Sequence, residues 1–114
     1  IILHEIKLEN YVRQADIVIT GEGQLDHQTV MGKAPAGVAK LAKKYHKPVI
    51  AFAGMVAETA EICNKYGIDA FFPILRKVVS LEEAMQRDNC RNNLSATAEQ
   101  VFRLIKAMQN SEKQ

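Results

Sequence analysis

There is no tryptophan in this 114-residue chain, aromatic residues make up only 6% of it, and it holds just two cysteines. Cys63 and Cys90 have neither a CxxC spacing nor histidines grouped around them, so neither a zinc ribbon nor a disulfide framework is expected. Both read as reduced thiols, Cys63 on a helix face, and the expected compartment is the cytoplasm. No apolar run approaches the roughly 20 residues that a membrane-spanning helix needs, so no membrane partner is expected. The net charge is +2 and the lysines are scattered rather than grouped with aromatics, which leaves no nucleic-acid footprint.

What is present is an ordinary globular composition, 47% hydrophobic and 25% charged. The length fits one domain over residues 1–114, enough for a single core but small for an enzyme with two substrates. The chain begins at Ile1 inside an apolar run, without an initiator methionine, and therefore reads as a piece of something longer.

Strand and helix alternate. Apolar positions Ile2, Ile6, Leu8, Tyr11 and Val12 predict a helix over Ile1–Arg13. A short strand at Ile17–Thr20 should break on Gly21. Val38, Leu41, Ala42 and Tyr45 recur at helical spacing, with Lys40, Lys43, Lys44 and Lys47 on other faces as a solvated surface. Pro48 ends that stretch, and Val49–Ala53 is a continuous apolar run, the mark of a strand buried on both faces of a parallel sheet. A helix at Glu58–Tyr66 closes on Gly67, and a strand at Ala70–Ile74 contains Pro73, which suits a strand end or edge. Ser80-Leu-Glu-Glu83 is a capping box. From Asn89, the stripe Leu94, Ala98, Val101, Ile105 and Met108 predicts a long helix with Met108 facing a core. The class is α/β, a three-layer, mainly parallel sheet flanked by helices.

Four of the six glycines fall in one stretch, Asp16–Ala39, DIVITGEGQLDHQTVMGKAPAGVA. It reads as a strand, a polar glycine loop and a helix whose first turn holds Pro35, with Ala34, Ala36, Gly37 and Ala39 packing tightly on the sheet. Strand, glycine loop and helix N-terminus together suit an anion, and Glu22, Asp26 and Lys33 add charges of both signs, which suits phosphate with a divalent metal. The phosphate-loop consensus is absent, because Ala34 follows Gly32-Lys33 and His27 stands at the leading glycine. The dinucleotide fingerprint fails at Asp26, which occupies its last glycine position. In parallel sheets ligands gather beyond the carboxyl ends of the strands, here expected at Thr20-Gly21, Ala53-Gly54 and Ile74-Leu75.

The run DIVITGEGQLDHQTVMGKAPAGVAKLAKKYHKPVIAFAG resembles the C-terminal part of the bacterial glycerate kinase family, with its VITGEGxxDxQTxxGKxPxGVA signature. The match is close over Ala15–Gly54 and looser to about Ala107. Gln24 stands where the family usually has arginine, and Met55 follows Gly54 where a small or hydroxyl residue is commoner. The resemblance implies a Rossmann-like half of a two-domain kinase, with ATP and Mg2+ as cofactors and D-glycerate as the substrate phosphorylated. It also implies a C-terminal portion that pairs with the missing part of the chain, or self-associates through the apolar surface so exposed.

On that template the residue chemistry suggests roles. Lys33 is the candidate for binding phosphate or the substrate carboxylate. Asp26 is the candidate for general base or Mg2+ ligand, and Glu22 is the other metal candidate. Gly21, Gly23, Gly32 and Gly54 allow close backbone approach, and Gln28 and Thr29 offer neutral hydrogen bonds. Asp26 and Thr29 equally suit the capping of a turn. A non-catalytic nucleotide- or anion-binding α/β module is the alternative to the kinase. A receiver-like signalling domain is disfavoured, because the strand Val49–Ala53 ends in Gly54 rather than in an aspartate.

Overall fold

The computed structural model describes residues 2–29 and 33–112, and the side chains of 7–29 and 36–112. In chain order the elements are α1 (Ile2–Gln14), β1 (Val18–Leu25), α2 (Lys33–Lys44), β2 (Val49–Val56), a 3-10 helix (Glu58–Lys65), β3 (Ala70–Pro73), α3 (Leu81–Met85) and α4 (Arg87–Glu112). They fall into two compact units, Ile1–Pro73 and Ile74–Gln114.

The first unit is an α/β layer. Its three strands are ordered β1-β2-β3 and all pair in parallel. On one sheet face, Val18, Val49, Ala51 and Ala53 pack with Val12 of α1, Ala39 and Ala42 of α2, and Ala60 and Cys63 of the 3-10 helix. Ala60 and Cys63 are three residues apart, which places both on one side of a three-residue turn. Leu25, Val49 and Cys63 are completely buried. A fully buried aliphatic side chain contributes about 1.5–3 kcal/mol, so a few such positions weigh heavily in a unit this small. On the other face the Phe52 and Phe72 rings lie 6.0 Å apart.

The edge strand β1 and the central strand β2 both run further than their sequences suggest. β1 does not stop at Thr20 but continues through Gly21, Glu22 and Gly23 to Leu25, and β2 continues through Gly54 to Val56. The reason is non-local: each segment finds the other as hydrogen-bonding partner, with Gly21 opposite Phe52, Glu22 opposite Ala53 and Gln24 opposite Met55. The carboxyl ends of the strands are thus Leu25, Val56 and Pro73, and the expected break at Gly21 is replaced by continued strand. A Cβ on Gly54 would lie 2.9 Å from the Gly23 carbonyl oxygen, so glycine is required there by close backbone approach rather than by a turn. Gly37, expected at a tight helix–sheet contact, is instead exposed with open space around its Cα.

α2 ends before Pro48, on a left-handed His46 at φ 57°, with the Lys47 N–H donating to the Ala42 carbonyl at 2.9 Å. Two α2 lysines expected on a solvated face make ion pairs: Lys44 donates to Glu9 at 2.9 Å, and Lys43 donates to Asp69. Asp69 also accepts the Val49 N–H at 2.7 Å, tying the start of β2 to the end of α2. Burial opposes ionisation of Asp69, but the hydrogen bonds from Lys43 and the Val49 N–H, with the Lys43 charge, outweigh it and hold the carboxyl below its ordinary value. The segment Glu58–Lys65 is helical as expected but wound as a 3-10 helix, starting at Ala57, which has no side chain able to cap it. Gly67 follows at φ +102°, as a residue past a helix end should.

In the second unit, Ser80 accepts the Glu83 N–H at 3.2 Å and starts α3, as the capping box predicts. The stripe on α4 is only partly covered. Val101 is buried and Ala98 and Ile105 are half-buried, whereas Leu94 and Met108, the latter expected in the core, are exposed. Among the described residues of this unit the other helix, α3, has 5 residues, too few to cover a helix of 26.

Three outcomes follow for stability. Gly54→Ala forces the β1 and β2 backbones apart and should lower unfolding free energy by about 1–3 kcal/mol. Gly37→Ala, in an open helix interior, should raise it by about 0.5–1 kcal/mol. Urea unfolding followed by circular dichroism measures both, and a Gly54→Ala variant as stable as the wild type would show that the strand spacing there is slack. Asp69→Asn should lose about 1 kcal/mol at neutral pH, a modest figure because the pair is partly solvated. Asp69 has a depressed folded pKa, so its contribution is fully present above the unfolded value and disappears as pH falls through the folded one. The wild-type and variant unfolding midpoints should therefore differ at pH 7 and converge on acidification below the ordinary carboxylate range; a gap that persisted there would rule out the charge as its source.

Candidate active site

The carboxyl end of β1 delivers the chain directly into a tight turn over Asp26–Thr29. The turn is closed from both sides. The Asp26 N–H donates to Thr29 Oγ1 at 3.0 Å, the Thr29 N–H donates back to the Asp26 carbonyl at 3.1 Å, and the Gln28 N–H donates to Asp26 Oδ1 at 2.9 Å. Aspartate and threonine form such turns because their short side chains reach backbone groups two or three residues away. Gln24 Nε2 donates to Asp26 Oδ2 at 3.5 Å. The capping role is thus seen, and it fixes the direction of the carboxylate: one oxygen holds the turn while the other points to a single long contact.

Glu22 lies four residues earlier, half-buried within β1. Two residues before it on the same strand face, Thr20 Oγ1 is buried with no hydrogen-bond partner among the described residues. Gly21 and Gly23 alternate with these side chains and are exposed, and Gly54 faces Gly23 across the ladder. The ion pairs among the described residues are Lys43–Asp69, Lys44–Glu9 and Arg103–Glu99, so neither Glu22 nor Asp26 is neutralised by one of them.

Glu22, Asp26, Gln28, Thr29, Gly21, Gly23 and Gly54 therefore gather on β1, its turn and the neighbouring part of β2. Gly32 and the side chain of Lys33 lie outside the described residues; Lys33 opens α2. Gln28 is exposed and Thr29 half-buried, its hydroxyl oxygen already accepting the Asp26 N–H. No group of three or more histidine, cysteine or acidic side chains converges as a metal cage among the described residues.

Sequence reading missed the elements that hold this turn from outside. Ala57 N–H donates to the Leu25 carbonyl at 2.9 Å, Thr59 Oγ1 accepts the His27 N–H at 3.1 Å, and Cys63 Sγ–H donates to the Asp26 carbonyl at 3.7 Å. Burial pushes the Cys63 thiol above its ordinary pKa, which keeps it a neutral donor. No local pattern announces contacts between segments more than 30 residues apart.

The Glycerate kinase family profile matches residues 1–106. Glycerate kinase of Haemophilus influenzae is 44% identical over 105 residues, covering 92% of this chain and 27% of that protein. Glycerate 2-kinase of Escherichia coli K12 is 43% identical over 102 residues, 85% of this chain and 27% of that protein. The crystal structure of a glycerate kinase 2 from Salmonella typhimurium LT2 superposes with a TM-score of 0.66 at 40% identity, covering 94% of this chain and 26% of that one. The chain spans about a quarter of the length of the curated relatives it matches. With sequence and fold similarity extending over nearly all of its residues, the chain belongs to the glycerate kinase family.

Proposed function

We propose that the polypeptide containing this chain is an ATP-dependent glycerate kinase, with this chain as its C-terminal portion and the β1 turn as part of its phosphoryl-transfer site. The observation that carries the reading is the Asp26 carboxylate, held by the Gln28 backbone N–H at the carboxyl edge of a parallel sheet and without a cationic partner among the described ion pairs. In such sheets that edge is where ligands bind.

Phosphoryl transfer asks a protein chiefly for positioning and for neutralisation of charge on the transferred group. Asp26 accepts the proton of a D-glycerate hydroxyl as that oxygen bonds to the γ-phosphorus and the bond to the ADP oxygen breaks. Lys33 binds phosphate or the substrate carboxylate, and Gln28 and Thr29 offer hydrogen bonds to hydroxyl or phosphate oxygens. Gly21 and Gly23, with open space where a Cβ would stand, and Gly32 by its residue type would let a ligand approach the backbone, whereas the space at Gly54 is taken by the Gly23 carbonyl oxygen.

The donor set suits Mg2+ better than a metal that needs an all-protein cage, because Mg2+ is commonly held by one or two carboxylates together with substrate phosphates. Glu22 and Asp26 are the two carboxylates on offer. When bound, the ion would neutralise negative charge on the phosphates. Small-molecule substrates and the reduced cysteines fit a cytoplasmic enzyme.

A coupled assay with ATP, Mg2+ and D-glycerate on the full-length polypeptide tests this. Asp26→Asn retains the oxygen that accepts the Gln28 N–H, so the turn should persist while kcat falls by about 10²–10⁴-fold. Lys33→Ala should weaken activity through binding. Wild-type activity that survives both changes would make the loop structural only, and ATP binding without any glycerate phosphorylation would favour a non-catalytic binding module.

A further inference from the structure

Three consecutive residues of the site segment are held by one element. The backbone groups of Leu25, Asp26 and His27 are met by the Ala57 N–H, the Cys63 thiol and the Thr59 hydroxyl in turn, at the start of and within the 3-10 helix. Thr59 is the pivot. Its Oγ1 accepts the His27 N–H at 3.1 Å and lies 3.3 Å from His27 Nδ1, so one hydroxyl meets both the main chain and the ring of the residue next to Asp26. Cys63, one 3-10 turn and a residue further on, is completely buried and holds the Asp26 carbonyl from beneath. The internal bonds of the turn fix its shape; these outer bonds fix its orientation on the sheet.

We propose that Thr59 and Cys63 are positioning residues of the phosphoryl-transfer site, a proposal that rests on the kinase reading. They act through the backbone of Asp26 and His27, and they keep the Asp26 carboxylate aimed over the carboxyl edge of β1 rather than letting the turn swing on Leu25. Positional precision of this kind matters because a shift of about 1 Å in a reacting group lowers rate steeply. Thr59 is exposed, so removing its hydroxyl leaves no core cavity and separates orientation from folding.

The test uses the full-length polypeptide with Thr59→Val, which keeps the shape and loses the acceptor, and Thr59→Ser, which restores it. Amide hydrogen exchange at His27 reports the clamp, and steady-state kinetics with ATP and D-glycerate report its use. Thr59→Val should accelerate His27 exchange and lower kcat by roughly tenfold with KM for ATP nearly unchanged, at an unaltered thermal midpoint. Thr59→Ser should recover both readouts. Unchanged exchange in Thr59→Val would overturn the clamp, and faster exchange with wild-type kcat would overturn its role in positioning. A wild type that does not phosphorylate D-glycerate would sink the kinase reading instead, and His27 exchange would still decide whether Thr59 holds the turn.

Discussion

The close approach of two backbones at Gly23 and Gly54 is the constraint on which the candidate site depends. A Cβ on Gly54 would sit 2.9 Å from the Gly23 carbonyl oxygen, a separation that side chains do not tolerate. Because the strands can close there, the ladder resumes at Gln24 and Met55 and carries Leu25 into the core. The Asp26 turn therefore starts from a buried anchor. Were the strands to part at Gly21, the same polar residues would hang from a floppy glycine linker, with no fixed direction for the carboxylate.

Charge is distributed unevenly over the first unit. Around the end of α2 the acidic groups are paired: Asp69 meets Lys43 and the Val49 amide, and Glu9 meets Lys44 and the Tyr45 hydroxyl. The hydrogen bonds from Tyr45 and Lys44 hold the Glu9 carboxyl below its ordinary value. On β1 and the turn after it, by contrast, Glu22 and Asp26 take part in none of these pairs. The paired acidic groups tie α1 to α2 and α2 to the sheet, whereas Glu22 and Asp26 make no such tie among the described ion pairs. Sites that act on ligands commonly keep carboxylates outside ion pairs, at some expense in stability.

Much of this could be read from the residues because the signals were local. The Val49–Ala53 run announced a buried parallel strand, the Ser80–Glu83 box announced a helix start, and Pro73 marked a strand end. The candidate site was legible through Asp26 and its neighbours, whose chemistry suits both a turn and a ligand. The extension of β1 through Gly21 and Gly23 was not, because glycine argues for a break until a partner strand is known. Thr59 and Cys63 were hidden for the same reason, their contacts being with residues far back in the chain. Met108 misled because helical spacing shows which residues share a stripe, not how far along it a neighbour reaches.

The Thr59 contact also sets an order of events during synthesis. His27 leaves the ribosome 32 residues ahead of Thr59, and β1 has no parallel partner until β2 follows it. At typical elongation rates of about 5–20 residues per second, that interval lasts seconds, long compared with the closing of a turn or a helix. The Asp26 turn can thus form early by its own hydrogen bonds, yet it gains its bearing only when the 3-10 helix emerges. The nascent chain carries the residues of the candidate site for some time before the contacts that gather them can form.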